Sequence, residues 1–210
     1  MRPRVSAIVL AGGRADRLGG ISKPDLEFGG STLLQRALAA AASLCGRTVV
    51  VGPPELAAGG ATVVREDPPF GGPVAALAAG LDALDYGLDG SDWVLVLPVD
   101  LPRAADAVAL LAGALPRLEA ESGDDGADGA HLVDAGGAAQ WLTGIYRRPA
   151  LRAAVDAHGQ PGGRSMKGLV ARLRVVGIPD PDGVGTDIDT WRDVARYRWR
   201  TADDTDEERR

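Results

Sequence analysis

Two short apolar runs, Val5 to Ala11 (VSAIVLA) and Trp93 to Val99 (WVLVLPV), constrain the fold most. Each is too short for a core helix and too continuously apolar for a strand with one wet face. Each therefore reads as a parallel strand covered on both sides. Between them a helix is expected from about Thr32, with Leu33, Leu34, Leu38, Ala41 and Ala42 on one face. Thr32 and Gln35 form its capping box, and Gly46 is the expected stop. Thr48 to Val51 and Thr62 to Arg65 read as further strands, and Val74 to Leu84 and Ala105 to Leu118 as helices. Strands alternating with helices predict an α/β fold, a Rossmann-like three-layer sandwich with right-handed crossovers.

The pattern changes after Ser122 to Gly129, a polar loop. Ala130 to Val133 and Trp141 to Tyr146, separated by Asp134 to Gly137, look like a hairpin. Helices follow near Ala150 to Ala157 and Met166 to Leu173, then a strand at Arg174 to Ile178. A last helix starts at Trp191, capped by Thr190 with Asp193 three residues on. The sheet is thus expected to be mainly parallel and partly mixed. Residues 1–200 form one domain in this reading, with a nucleotide-binding half to about residue 120 and an acceptor half beyond. The tail from Thr201 to Arg210 is acidic and too poor in apolar groups to pack, so disorder is expected there.

Composition narrows the chemistry. Lys and Arg number 23 against 29 Asp and Glu, a net charge of −6 that argues against wrapping a nucleic acid. Cys45 is the single cysteine and cannot form an internal disulfide. With only His131 and His158, a three-His zinc site is excluded, and any metal must be held by carboxylates, which suits a hard cation such as Mg²⁺. No apolar run approaches the roughly 20 residues of a membrane span. Met1-Arg2-Pro3-Arg4 opens like a secretory signal, but its apolar run ends at Gly12-Gly13 before Arg14, Asp16 and Arg17. A soluble, cytoplasmic protein without nucleic-acid or membrane partners is expected.

Four stretches carry polar chemistry. The first runs from Leu10, Ala11, Gly12 and Gly13 through Arg17 to Lys23-Pro24. Paired glycines at a strand end let backbone N–H groups approach an anion, and Arg17 and Lys23 add a planar fork and a compact ammonium. A Walker A loop is excluded, because no Gly here precedes a Lys, and the adjacent glycines do not fit G-x-G-x-x-G. The second is Arg65 to Pro73, a rigid Pro/Gly-rich loop before a helix N-terminus. In the third, Asp100 ends the strongest strand, where α/β sheets bind ligands. Burying it is costly without a cation, though a strand-end Asp also serves as a helix N-cap. In the fourth, Asp187 and Asp189 point the same way in extended backbone, a pincer for a hard metal, unless Asp189 or Thr190 merely caps the Trp191 helix. Weaker features are Arg164 and Lys167 at a helix start, readable as a phosphate grip or as a solvated turn. Trp141 and Tyr146 are read as sheet-filling, and His131, Cys45 and Met166 as structural.

The stretch LAGGRADRLGGISKPDLEFGGSTLL resembles the signature loop of the molybdopterin nucleotidyltransferase group within the nucleotide-diphospho-sugar transferase superfamily, and specifically the molybdenum cofactor guanylyltransferases. The resemblance runs from Val5 to about Trp199. It implies that Leu10, Ala11, Gly12, Gly13, Lys23, Asp67 and Asp100 bind a nucleotide. It implies that Asp100 holds Mg²⁺ in a C/P-x-D-x-P motif, with Asp187 or Asp189 assisting, and that Arg17, Lys23 and Asp100 are catalytic. The chain departs from the group's usual Asn-Ile-Asn-Thr-Pro by carrying Asp187, Asp189 and Trp191. The implied activity moves GMP from GTP to a molybdopterin phosphate with release of pyrophosphate, in a monomer or weak oligomer that transiently meets molybdoenzyme maturation proteins. Leu10-Ala11-Gly12-Gly13 fits guanylyl members, whereas cytidylyl members more often read Ala-Ala-Gly. Transfer of CMP to molybdopterin, transfer of GMP to another phosphorylated small molecule, and a non-catalytic nucleotide-binding regulator are the alternatives.

Overall fold

The computed structural model describes residues 3–12, 22–87, 90–121, 126–159, 162–163 and 165–197. The two apolar runs lie side by side as the centre of the sheet. β1 (Val5–Leu10) is buried along its whole length and pairs in parallel with β6 (Trp93–Pro98), Val5 opposite Trp93 and Leu10 opposite Pro98. On its other side β1 pairs in parallel with β4 (Arg47–Val51), which pairs with β5 (Thr62–Val64). A hairpin of β7 (Gly129–Asp134) and β8 (Ala139–Arg147) brings β8 antiparallel onto β6, and β9 (Val175–Asp180) closes the far edge beside β7. Among the described residues this gives a seven-stranded sheet in the order β5-β4-β1-β6-β8-β7-β9, parallel on one side and mixed on the other.

Both faces are covered because both faces are apolar. Val5, Ala7 and Val9 of β1 and Trp93, Leu95 and Leu97 of β6 pack against α1 (Leu33–Ala42) and α3 (Ala104–Ala120). The alternate residues Ile8, Leu10, Val94 and Val96 pack against α2 (Pro73–Tyr86), α4 (Arg148–Asp156) and α5 (Met166–Val170). Period-2 alternation under two helical layers gives the three-layer sandwich.

Local signals act as expected at most ends. Thr32 accepts the Gln35 N–H at 3.1 Å, and the Gln35 side chain accepts the Thr32 N–H at 2.9 Å. The expected stop at Gly46 is incorrect. α1 ends at Ala42 with Ser43 as its cap, and Gly46 instead donates its N–H to the Val5 carbonyl just before β4 begins. Gly52, by contrast, is required. A Cβ there would lie 2.9 Å from Leu56 Cδ1 and 3.1 Å from the Ala11 backbone, so glycine lets the end of β4 close on the end of β1. A short hairpin, β2 (Glu27–Phe28) and β3 (Ser31–Thr32), leads into α1. Residues 191–197 are helical. The tail 201–210, expected to be disordered, lies outside the described residues. No helix among those described is long and apolar enough to cross a membrane.

Register between β7 and β8 jumps from His131 opposite Gly144 to Leu132 opposite Gln140. Trp141, Leu142 and Thr143 therefore form a bulge, and they also lie past the last β6–β8 pair, Val96 with Gly144. A bulge at such a place turns side chains away from the ladder.

The centre of the sheet sets stability. Leu95 is fully buried, and its truncation to Ala should cost about 3 kcal/mol. A urea titration should show that loss as a lower midpoint at unchanged slope.

Candidate active site

Every parallel strand that reaches the site presents its carboxyl end to it, as the topology of open α/β sheets requires. One cavity of about 770 Å³ is lined by Leu10, Ala11 and Gly12 after β1, by Lys23, by Glu66 and Phe70, and by Asp100 after β6. A Cβ at Gly12 would make only ordinary contacts, 3.8 Å to Glu66 Oε1 and 3.9 Å to the Val51 carbonyl. Packing does not demand glycine there, so what its missing side chain leaves open is backbone facing the cavity. The N-terminus of α2 faces the same space through Gly72, Pro73 and Ala76. Its cap is Gly72, which has no side chain to satisfy the first-turn N–H groups, so that end offers donors and a positive dipole to an anion.

Three carboxylates meet at the floor. Asp100, Asp187 and Asp189 each bring an oxygen within 4.8 Å of the others. The backbone makes this inevitable. The Ile188 N–H donates to the Asp100 carbonyl at 3.0 Å, splicing the 187–189 segment beside the end of β6. Ile188 is 2% exposed and packs with Leu26, Phe28, Leu33 and Val194, while its neighbours Asp187 and Asp189 reach the acid cluster. That small core also includes the residues after Lys23, whose single 3-10 turn over Lys23–Asp25 is seated by buried Pro24. Lys23 Nζ consequently bonds Asp100 Oδ2 at 2.8 Å and donates a shorter bond to Asp189 Oδ1. Burial alone would lower the lysine pKa, but the two carboxylates outweigh it and hold the ammonium above its ordinary range. Asp187 goes upward too, first by desolvation and then by the charges of Asp100 and Asp189, even though its surface stays exposed.

Two alternatives left open by the sequence close here. Arg103, not Asp100, occupies the N-cap of α3. The helix at 191–197 is capped by Thr190, whose hydroxyl bonds Asp193 Oδ2 at 2.6 Å while accepting the Asp193 N–H at 3.3 Å. Both acids are thereby available to the cluster. The three carboxylates gather around the Lys23 ammonium, which pairs with Asp100 and Asp189. Asp100 Oδ1 is buried without a hydrogen-bond partner. A divalent hard cation fits both the charge and the orphaned oxygen.

Other expected residues fall differently. Asp67 is exposed and is not among the described residues lining this cavity, whereas its neighbour Glu66 is buried, lines the cavity and accepts the Phe70 N–H at 3.0 Å. Gly13, Arg17 and Arg164 lie outside the described residues. Lys167 is exposed and lines none of the cavities described here. Trp141 packs against the core on the α2/α4/α5 face as expected, but it is only partly buried and also lines a second cavity, whereas Tyr146 is fully buried. Asp180 was missed. It is 2% exposed and accepts the Val184 and Gly185 N–H groups at 2.9 and 2.8 Å, fixing the loop that leads to Asp187. Its signal was the Asp180-Pro181-Asp182-Gly183 turn, in which an Asp side chain commonly bonds nearby backbone.

Comparison with known proteins adds the family. The model of the MobA-like NTP transferase domain matches residues 7–175. The chain belongs to that family. A molybdenum cofactor guanylyltransferase from Nitrobacter hamburgensis is 38% identical over 104 residues, 48% of this chain, so the chain spans about half the length of that relative. One from Acidiphilium cryptum is 30% identical over 194 residues, covering 90% of this chain and 91% of that protein. Among solved structures, the molybdopterin-guanine dinucleotide biosynthesis protein A of Archaeoglobus fulgidus superposes with a TM-score of 0.68 at 19% identity, covering 94% and 99% of the two chains. The 4-diphosphocytidyl-2C-methyl-D-erythritol synthase of Anaerococcus prevotii reaches 0.66 at 15% identity, covering 95% and 96%. Likeness at those identities concerns the fold, and the fold alone does not choose the base.

Asp180→Ala should remove two charge-assisted hydrogen bonds from a buried loop and lower stability by about 2 kcal/mol. Chemical denaturation would measure that loss, and metal titration of the folded variant should show weaker binding.

Proposed function

We propose that the protein is a nucleotidyltransferase that moves GMP from GTP to the phosphate of a molybdopterin acceptor and releases pyrophosphate. The observation that carries this reading is one carboxylate shared by two cavities: Asp100 borders the space beside Gly12 and Lys23 and also the space beneath Trp141. A donor and an acceptor held in those cavities would meet at the acid cluster. The names of the relatives point to guanylyl transfer onto the molybdenum cofactor, and Leu10-Ala11-Gly12-Gly13 agrees with that base.

In this mechanism an oxygen of the acceptor phosphate attacks the α-phosphorus of GTP. The bond from that phosphorus to the α–β bridging oxygen breaks, and its electron pair leaves on pyrophosphate. A phosphate nucleophile is already ionised at neutral pH, so no base is required, which agrees with a site built without histidine. What the protein must supply is position and positive charge. The open backbone at Gly12 and the first turn of α2 receive phosphate oxygens. Lys23 spends two donors on Asp100 and Asp189, leaving one of three for the nucleotide. The two carboxylates fix that ammonium in place, so its charge needs no reorganisation as the transition state forms. Mg²⁺ held by Asp100 with Asp187 or Asp189 would supply Lewis-acid charge neutralisation at the reacting phosphate.

Pyrophosphate release from GTP, Mg²⁺ and molybdopterin tests this reading. GTP should outperform CTP, ATP and UTP, and EDTA should abolish release until Mg²⁺ is restored. Asp100→Asn and Lys23→Ala should each lower kcat/KM by about 10²-fold or more. Turnover within threefold of wild type in both variants would refute the assigned roles. A CTP preference would replace the base, and nucleotide binding without release would indicate a sensor.

A further inference from the structure

The second cavity, about 320 Å³, adjoins the first through Pro73, Pro98, Asp100 and Leu142 and is not lined by Gly12. Its volume falls within the ~300–1,000 Å³ of small-molecule sites. Its lining combines the carboxylates of Asp100 and Asp187 with Gln140, Trp141, Thr143 and Met166. We infer that Trp141 is the platform on which the acceptor's fused heteroaromatic ring stacks, setting acceptor specificity while the acceptor's phosphate reaches Asp100.

Three features of the chain converge on this. The first is the bulge. Over Trp141, Leu142 and Thr143, β8 is paired with neither β7 nor β6, so this segment is released from the ladder just where it passes the end of β6. Trp93, in regular register, is 0% exposed, whereas Trp141 packs against the core only in part and keeps some of its surface open to the cavity. The second is rigidity. The Tyr146 hydroxyl donates to the Trp141 carbonyl at 2.6 Å, and the buried His131 ring lies 4.1 Å from the indole centroid at 41°. Backbone and ring are both held before any ligand arrives, so stacking orders little that is not already ordered. The third is the chemistry around the ring. Gln140 beside it offers both a donor and an acceptor, the pattern needed to meet ring nitrogens and an exocyclic oxygen or amine, while Met166 gives a soft apolar wall. A purely aliphatic phosphate would leave both the indole and the carboxamide unused. A flat, nitrogen-rich ring with a phosphate at one end uses the whole cavity.

This inference rests on the proposed transfer for the identity of the acceptor, but its test does not depend on turnover. The probe is 6-hydroxymethylpterin monophosphate, a fluorescent pterin, titrated with the full chain in Mg²⁺; GTP affinity is measured separately on each variant. Wild type should bind the probe saturably and quench its emission, and the phosphate-free pterin should bind more weakly. Trp141→Leu should weaken probe binding at least tenfold, as expected for loss of a stacking ring, with GTP affinity and melting temperature unchanged. Trp141→Phe should keep part of the affinity but lose at least half of the quenching, which needs the electron-rich indole in contact.

An affinity of Trp141→Leu within twofold of wild type, undiminished quenching in Trp141→Phe, or no saturable probe binding by wild type would each overturn the inference. If the leucine variant also loses GTP affinity, the quenching amplitude of the phenylalanine variant decides the matter alone. Failure of wild type to release pyrophosphate would sink the transfer reading and leave this result intact. An unaffected Trp141→Leu titration would do the reverse.

Discussion

A single backbone hydrogen bond, from the Ile188 N–H to the Asp100 carbonyl, makes the rest of the site possible. It joins the end of the most buried strand to a segment nearly ninety residues later in sequence. Buried Ile188 anchors the segment in the small core formed with Leu26, Phe28, Leu33 and Val194. The carboxylates on either side of Ile188 then reach the same place as Asp100. The same small core seats the chain just after Lys23, so one packing event brings together three acids and the cation that partly neutralises them.

That arrangement is unfavourable for folding taken alone. Carboxylates within 4.8 Å of one another repel. Asp100 also keeps a buried oxygen without a hydrogen bond. Folded domains tolerate such strain where function needs it, and here it points to a positively charged ligand arriving with a phosphate. Lys23 therefore has two duties in this account. It holds the acids together before the ligand arrives, and it offers a remaining donor to the nucleotide.

Much of this was legible in the sequence because the signals are local. Continuous apolar runs announce strands buried on both faces, and the Thr32–Gln35 box announces the start of α1. The conjunction of Gly12, Lys23 and Asp100 is also readable, because each sits at a strand end or beside a turn. What was not legible depends on tertiary contacts. The stop expected at Gly46 fails because α1 has already ended at Ala42, and that glycine bonds Val5 on the way into β4. That Trp141 also borders a cavity is not legible, because the register jump beside it leaves no local signature. Nothing near Glu66 and Asp67 says which of two adjacent acids turns inward; that is decided by the course of the loop, which buries Glu66 and exposes Asp67. The capping ambiguity at Asp189 and Thr190 likewise required the Thr190–Asp193 hydrogen bonds to resolve it.

The central claim is that Asp100, with Asp187 or Asp189, holds a divalent cation between the two cavities. Anomalous scattering from a crystal of the protein soaked with Mn²⁺ and GTP tests it most directly. The account expects a peak about 2.1 Å from an Asp100 carboxylate oxygen, with a second carboxylate from Asp187 or Asp189 in its coordination sphere and the nucleotide phosphates on its Gly12 side. A fully occupied Mn²⁺ bound to the nucleotide but out of reach of Asp100 would contradict it.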